Sequence, residues 1–430
     1  MQQSTFTKTT METLQWLLFL LASAVAMPIV IGSVFHLDGA EITGLMQRTF
    51  LTVGLASLLQ ALFGHRLPIM EGPAGIWVSV FTVMAATGSS LSGTLQTLTT
   101  TMIFTGLFMF LLGVFKLSKR ILPIFTPLVT GTFFFLLTVQ LSGTFLEGML
   151  GLQGSSETIQ LSKATIAFLT FLIVLGLSIF AKGWLSSYAV FIGILIGWTI
   201  FVLVNGTSGN AQDVAKFALP DLFAFGKPTF DISIIPISFI TAIISISNVV
   251  ASVVAASQTI GLDGKDNADR VNNGTTLSGI NHGLAGLFST IANVPLATSS
   301  GFIALTGQKK KTPFIYATII LLLVAFFPPI VTFIANIPSP VANAALMASF
   351  VQLVGLAIRN ITLKPLDERK VTIVGIGYLI GMGTMFLPTE VFNGLPSIIQ
   401  NVMSNGLLVG TALVILLEQL WREKETSSFK

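Results

Sequence analysis

No cysteine occurs in the 430-residue chain, which excludes disulfides, thiolate metal sites and a cysteine nucleophile. Histidine is nearly as scarce. His36, His65 and His282 are the only three, and no two have metal-site spacing, so neither a metal centre nor a metal cofactor is expected. Charge is thin as well. Asp, Glu, Lys and Arg make up 9% of the residues against 53% hydrophobic, where a soluble globular chain carries about 25% charged. With a mean hydropathy of +0.86 the chain reads as an integral membrane protein whose first partner is the lipid bilayer. The net charge of +4 is spread along the chain and not gathered into a patch, which argues against a nucleic-acid role. The polar start, MQQSTFTKTTMETLQ, has no small-residue cleavage site ahead of a short apolar core and does not read as a removable signal peptide.

What is present is a series of apolar stretches of the length a bilayer demands, roughly 20 residues each. They fall at about 14–35, 45–63, 69–86, 97–115, 122–144, 164–181 and 186–205, and then at 232–256, 275–292, 295–306, 313–335, 339–359, 371–388 and 396–420. The connections test this count. Both termini and the even-numbered connections hold 18 of the 22 Lys and Arg; the odd-numbered ones hold only Arg48, Lys163, Lys216 and Lys227. A wrong count would scramble that alternation, so fourteen spans with both ends cytoplasmic are expected, in a cell (plasma) membrane. Seven spans per half make the halves inverted relative to one another. The openings of the fifth and twelfth spans, ILPIFTPLVTGTF (121–133) and NIPSPVANAALM (336–347), echo each other with two prolines followed by small residues. Prolines also simply favour helix starts, so the echo alone leaves both readings open.

Two stretches break the apolar rhythm. LPIMEGPAGIWVSV (67–80) packs two prolines, two glycines and a carboxylate into nine of its residues, and then turns to the strand-like Ile76-Trp77-Val78-Ser79-Val80. NVPLATSSGFIALTG (293–307) interrupts the tenth span in the same way. Irregular backbone at membrane depth is tolerated only where protein buries it or a polar cavity meets it. A matched pair of interrupted segments in two halves points to a transporter's binding site.

Several stretches carry a family resemblance. LQWLLFLLASAVAMPIVIG (14–32), GLASLLQALFGHRLP (54–68), ILPIFTPLVTGT, SGFIALTG (300–307) and IPSPV (337–341) resemble the first, second, fifth, tenth and twelfth spans of the nucleobase–ascorbate transporter family, also called nucleobase:cation symporter 2. That family usually has Gln-His where Gln15-Trp16 stand here. The resemblance, of the uracil/xanthine permease kind, runs from about Leu14 to Ile361. It implies an all-α membrane protein of fourteen transmembrane segments in two inverted seven-span repeats, with short strands in broken spans 3 and 10 that pair near the midplane. It implies a core domain of spans 1–4 and 8–11 (residues 1–118 and 231–337) and a gate domain of spans 5–7 and 12–14 (119–230 and 338–430). The implied activity is secondary-active import of a purine or pyrimidine base by movement of core against gate, coupled to protons or sodium, in a possible homodimer.

A planar base presents an edge of donors and acceptors, and its site needs amide or hydroxyl side chains and free backbone groups. Matched to the family motif, Asn248 stands where relatives have a base-holding glutamate, and Ser252 is the polar position one turn on. Asn can donate and accept but cannot exchange a proton; its alternative role is helix packing. Thr298 and Ser299 replace the family's Glu or Gln and Asn, with the backbone of Ala297 to Ser300 opened by the break. Gly75, Ile76 and Trp77 fall where an aromatic and strand backbone face the base in the family, and Trp77 either stacks on a ligand or packs. Ser23 matches a small pocket-lining residue, and Phe350 the gate position that faces the substrate or packs as an ordinary apolar residue.

Glu71 is the only carboxylate inside an apolar span away from a helix end. An intramembrane ionisable group is a functional candidate by default, and with both usual carboxylates absent Glu71 is the proton-coupling candidate. The alternative is a wet vestibule in which it pairs with Arg66 or His65. His282 is expected near the cytoplasmic interface, after the loop GLDGKDNADRVNNG (261–274), whose aspartates lack the full calcium pattern. The tail WREKETSSFK leaves no room for a regulatory domain. Two other readings stay open: an anion carrier of sulfate or bicarbonate type on the same fold, and a non-transporting receptor. An intramembrane enzyme is not expected, because no His–carboxylate constellation with a nucleophile is available in the spans.

Overall fold

The computed structural model describes residues 5–88, 90–117, 122–124, 126–152, 158–206, 215–263, 265–392, 395, 399 and 402–421. Lys119 and Arg120, the tail 422–430, and most of the expected opening of the last span (396–398, 400 and 401) lie outside the described residues. Fourteen segments follow one another in the expected order. The first half runs α1 (Thr5–Val34), α2 (Gly39–Leu62), β1 (Glu71–Pro73) with α3 (Gly75–Thr87), α4 (Leu91–Val114), α5 (Pro127–Leu150), α6 (Leu161–Phe180) and α7 (Ala189–Asn205). The second runs α8 (Ile234–Ile260), α9 (Asn267–Leu287), β2 (Asn293–Pro295) with α10 (Thr298–Thr306), α11 in two pieces (Lys311–Val324 and Pro328–Ala335), α12 (Ser339–Ile361), α13 (Glu368–Met385) and α14 (Gly406–Leu420). Seven of these helices are individually long and apolar enough to cross a membrane, and the two pieces of α11 meet the same measure together.

Local chemistry sets the helix starts. Asp38 accepts from the Glu41 amide, and the Glu41 carboxylate accepts from the Asp38 amide, a reciprocal capping box at α2. Thr126 caps α5 ahead of Pro127, and Gly151 ends the helix in the left-handed region at φ 74°. Asp367 caps α13; the hydrogen bond from the Lys370 amide holds its carboxyl below the ordinary range. Within the spans, threonine hydroxyls turn back onto carbonyls one turn earlier, as at Thr49, Thr132 and Thr170, so they need no water.

The packing obeys the expected inversion. Helix α4 packs on α9 and α2 on α11; α8 packs on α4 and α1 on α11; α6 packs on α7 and α13 on α14, while α5 and α12 pack on each other across the pseudo-axis. Leu172, Phe180, Leu203, Phe333 and Leu379 project outward with most of their surface uncovered, as residues facing lipid do.

Several boundaries differ from expectation: α1 begins at Thr5, nine residues ahead of its expected start, and α4 at Leu91, six ahead. The strand of the first half is Glu71–Pro73, and Ile76 to Val80 belong to helix α3. Pro73 ends the strand and Ala74 remains extended, after which the mostly apolar run Ile76 to Phe81 is free to coil and is buried throughout. Helix α9 begins at Asn267, eight residues ahead of the expected span, because its polar first turns still form helix. The eleventh span is not continuous: its pieces meet at 94°, the break falling just before Pro328 and Pro329.

Candidate functional site

The two interrupted spans meet. β1 and β2 pair antiparallel with Glu71 opposite Pro295, Gly72 opposite Val294 and Pro73 opposite Asn293. Leu296 donates its amide to the Met70 carbonyl at 2.8 Å and Ala74 donates to the Ala292 carbonyl at 3.1 Å, extending the crossing by one bond at each end. Three-residue strands this short are marginal alone, and side chains from three other segments hold them. Ser57 of α2 accepts from the Glu71 amide at 2.9 Å, Ser252 of α8 donates to the Pro295 carbonyl at 2.8 Å, and Ser299 of α10 accepts from the Met70 amide at 3.0 Å. Ser252 and Ser299 thus fix the strands, and Ile76 is packed away beside them at 2% exposure.

The helices that leave the strands, α3 and α10, begin without side-chain caps, Ala74 and Ala297 standing at their N-caps. Their first-turn backbone donors therefore have no side-chain acceptor. Ala297 and Thr298 are exposed, whereas Ser299 and Ser300 are buried, so the accessible part of the expected Ala297–Ser300 stretch is its first two residues. On the opposite helix start, a Cβ on Gly75 would lie 3.5 Å from the Phe350 ring and 3.3 Å from Leu137. Gly75 and Phe350 thus face each other between the α3 start and α12, with Phe350 set edge-on to Phe145 at 5.0 Å between ring centroids. Asn248 is half-buried on α8, one turn before Ser252, on the helix that packs against β2 and α10. Ser23 is half-buried on α1, which packs on β1 and α3.

Trp77 takes the packing role. It is fully buried, and its indole Nε1 donates to His282 Nε2 at 3.0 Å. Since Nε2 accepts, the ring proton of a neutral His282 is on Nδ1, which donates to the Ser278 carbonyl at 2.8 Å. His282 is therefore not at the interface, as expected from the polar loop before it, but wholly buried inside α9. Of the two roles open to Trp77, its hydrogen bond to a histidine 205 residues away is a packing contact. We predict that Trp77→Phe, which orphans His282 Nε2, destabilises the protein by about 1–3 kcal/mol, seen as a lowered midpoint of thermal unfolding in detergent.

Glu71 is wholly buried, and so is His65; the Glu71 Oε1 and His65 Nε2 atoms are 3.6 Å apart. Of the two neighbours open to it, His65 and not Arg66 stands beside Glu71, and the pair is enclosed by protein. Arg66 itself is exposed, at a left-handed turn (φ 59°).

Residues that sequence reading missed are those that tie the halves together. Arg270 of α9 donates to the His65 carbonyl at 3.0 Å, and Arg48 of α2 donates through Nε to the Ser289 carbonyl at 3.1 Å. Ser289 also lies in the left-handed region (φ 47°), as Arg66 does. The signal was available: 222 residues separate Glu71 from Asn293, Pro73 from Pro295 and Arg48 from Arg270 alike.

Two inverted seven-span halves joined at paired, interrupted helices define a membrane transporter. The sequence profile of the Permease family matches residues 7–390, and the chain belongs to that family, the nucleobase–ascorbate transporters its span motifs resemble. Over 434 residues it is 32% identical to YwdJ of Bacillus subtilis (strain 168), a protein provisionally named a purine permease, with 98% of each chain covered. It is 27% identical over 418 residues to the xanthine permease of the same organism, covering 96% of this chain and 93% of that one. The fold is similar to the transmembrane domain of the cyanobacterial bicarbonate transporter BicA, with a TM-score of 0.64 over 95% of this chain and 98% of that one. At 15% identity that likeness concerns the fold alone.

Proposed function

We propose that the protein is a secondary-active permease for a purine-type nucleobase, held in the cell membrane with both termini cytoplasmic. The observation that carries this reading is the junction at the crossed strands. Near it lie the uncapped starts of α3 and α10, the exposed Ala297 and Thr298, the Gly75–Phe350 contact, and the half-buried Asn248 on the helix that packs against β2 and α10. A purine edge alternates donors and acceptors. Asn248 supplies one of each, and first-turn amides supply donors for ring carbonyl oxygens. The names of the relatives at 32% and 27% identity support a purine or xanthine as cargo.

Segments 1–118 and 231–337 act as the core that carries these groups, and 119–230 and 338–430 as the gate that presents Phe350. Alternating access is the movement of one against the other, with Ser23 and Gly75 on the moving face. Ser252 and Ser299 belong to this site as the frame that holds the strands, and Ile76 and Trp77 as the buried first turn of α3 that follows them. Coupling is to protons, and Glu71 is the group that takes the proton. The reading is tested by uptake of labelled xanthine, guanine, urate and uracil into cells lacking their own base permeases. Saturable uptake of a purine, displaced by unlabelled purine, is expected; an absence of uptake and binding for every base would overturn it.

A further inference from the structure

The buried polar groups nearest the strands differ between the halves. In the first half, Glu71 opens β1 with His65 beside it; at the matching place in the second, Asn293 opens β2. Asn293 is uncharged at every pH. The Glu71–His65 pair is wholly enclosed, and neither Glu71 oxygen nor His65 Nε2 has a hydrogen-bond partner among the described residues. The His65 ring is oriented from the other side. Its Nδ1 accepts the Leu67 amide at 3.1 Å, so a singly protonated ring carries its proton on Nε2, the atom facing Glu71 Oε1 at 3.6 Å.

The surroundings offer little other charge. No ionisable residue occurs in α8 or α4, none in α1 except Lys8 and Glu12 at its start, and none in β2. In α9, Asp269 lies at the helix start and His282 is engaged with Trp77. In α2, Glu41 caps the far end and Arg48 is bound to Ser289. Arg270 reaches the pair only through the His65 carbonyl. With Glu71 ionised and His65 neutral, the pair holds one negative charge that no hydrogen bond meets in an enclosed site, a costly state. One added proton makes it neutral overall. The two states differ by a single proton, and the strand that carries Glu71 is the one whose far end leads into Gly75.

We propose that His65 and Glu71 together form a one-proton site placed behind the crossed strands, so that the proton and the substrate never touch and are coupled through β1. This rests on the permease reading for its purpose, but its chemistry can be measured without any substrate. Glu71 is a proton acceptor and His65 its positioning residue: the ring turns a donor toward the carboxyl.

The full chain in liposomes decides it by two measurements. The infrared carbonyl stretch of a protonated carboxylic acid should titrate with pH, vanish in Glu71→Gln, and persist with a displaced titration in His65→Gln. In transport, Glu71→Gln should keep base-for-base counterflow within about two-fold of the unsubstituted chain while pH-driven accumulation falls to a ratio of about 1. Accumulation that survives in Glu71→Gln, or a carboxylic band indifferent to His65→Gln, overturns the proposal. So does loss of counterflow in Glu71→Gln protein that folds, because that places the carboxyl against the substrate. Should Glu71→Gln not insert, the His65→Gln titration still decides. A chain that carries no base at all while its band titrates as expected would sink the permease reading and leave the proton site standing.

Discussion

Gly279→Ala should deprive the protein of its fold, although it adds one methyl group. Helices α4 and α9 approach so closely that a Cβ at Gly279 would meet the Phe110 amide nitrogen and stand 2.6 Å from the Gly106 carbonyl oxygen. The reciprocal substitution at Gly106 would place a Cβ 2.5 Å from the Gly279 carbonyl. These neighbours are backbone, and no rotamer change relieves them. Small residues at such crossings are how membrane helices gain contact where lipid supplies no hydrophobic drive. Separating the pair would forfeit that contact along two of the core spans, at a cost of about 3 kcal/mol or more. The control lies one turn along. A Cβ on Gly283 has nothing within 4 Å, so Gly283→Ala should stay within about 1 kcal/mol of the parent. Size-exclusion profiles in detergent after mild heating separate the two: aggregation for Gly279→Ala and a single peak for Gly283→Ala are expected, and two equal profiles would refute the close-packing argument.

The same glycine contacts explain how far the sequence alone could be read. Span count, inversion and the two interrupted segments were legible, because apolar length, the alternation of Lys and Arg, and proline–glycine breaks are local signals. Trp77 was not legible in that sense. Its position in α3 says nothing of whether its indole meets a ligand or His282, since that depends on which face α9 presents 205 residues later. Ile76 to Val80 misled for a different reason: β-branched and aromatic residues favour strands in water-exposed sheets, but after Pro73 in an enclosed segment helix satisfies every backbone group internally. Glu71 stood out as a candidate at once, whereas its partner did not. His65 and Arg66 were equally near in sequence, and only the left-handed turn at Arg66, which sends that side chain outward and leaves His65 inside, decides between them.

The strands also clarify what the missing carboxylates mean. The family resemblance implies a glutamate where Asn248 stands and an acidic or amide residue where Thr298 stands; here both are neutral, and the carboxyl wholly buried among the described residues is that of Glu71, in β1 itself. The proposal assigns base recognition and proton binding to different residues around the same pair of strands. Asn248→Ala should then weaken base binding without touching proton uptake. The truncation removes one donor and one acceptor from a half-buried position and leaves the matching atoms of the base unpaired, a loss of about 2–4 kcal/mol, or roughly 30- to 1,000-fold in apparent affinity. Isothermal titration with the preferred purine measures this directly, and the infrared titration of Glu71 should be unchanged in the same protein. Asn248→Glu restores an acidic group to the base-binding side and should make affinity itself pH-dependent, which in the parent chain it is not required to be. If Asn248→Ala binds base as tightly as the parent, the amide belongs to the packing of α8 against its neighbours, and recognition rests on the backbone donors of α3 and α10 alone.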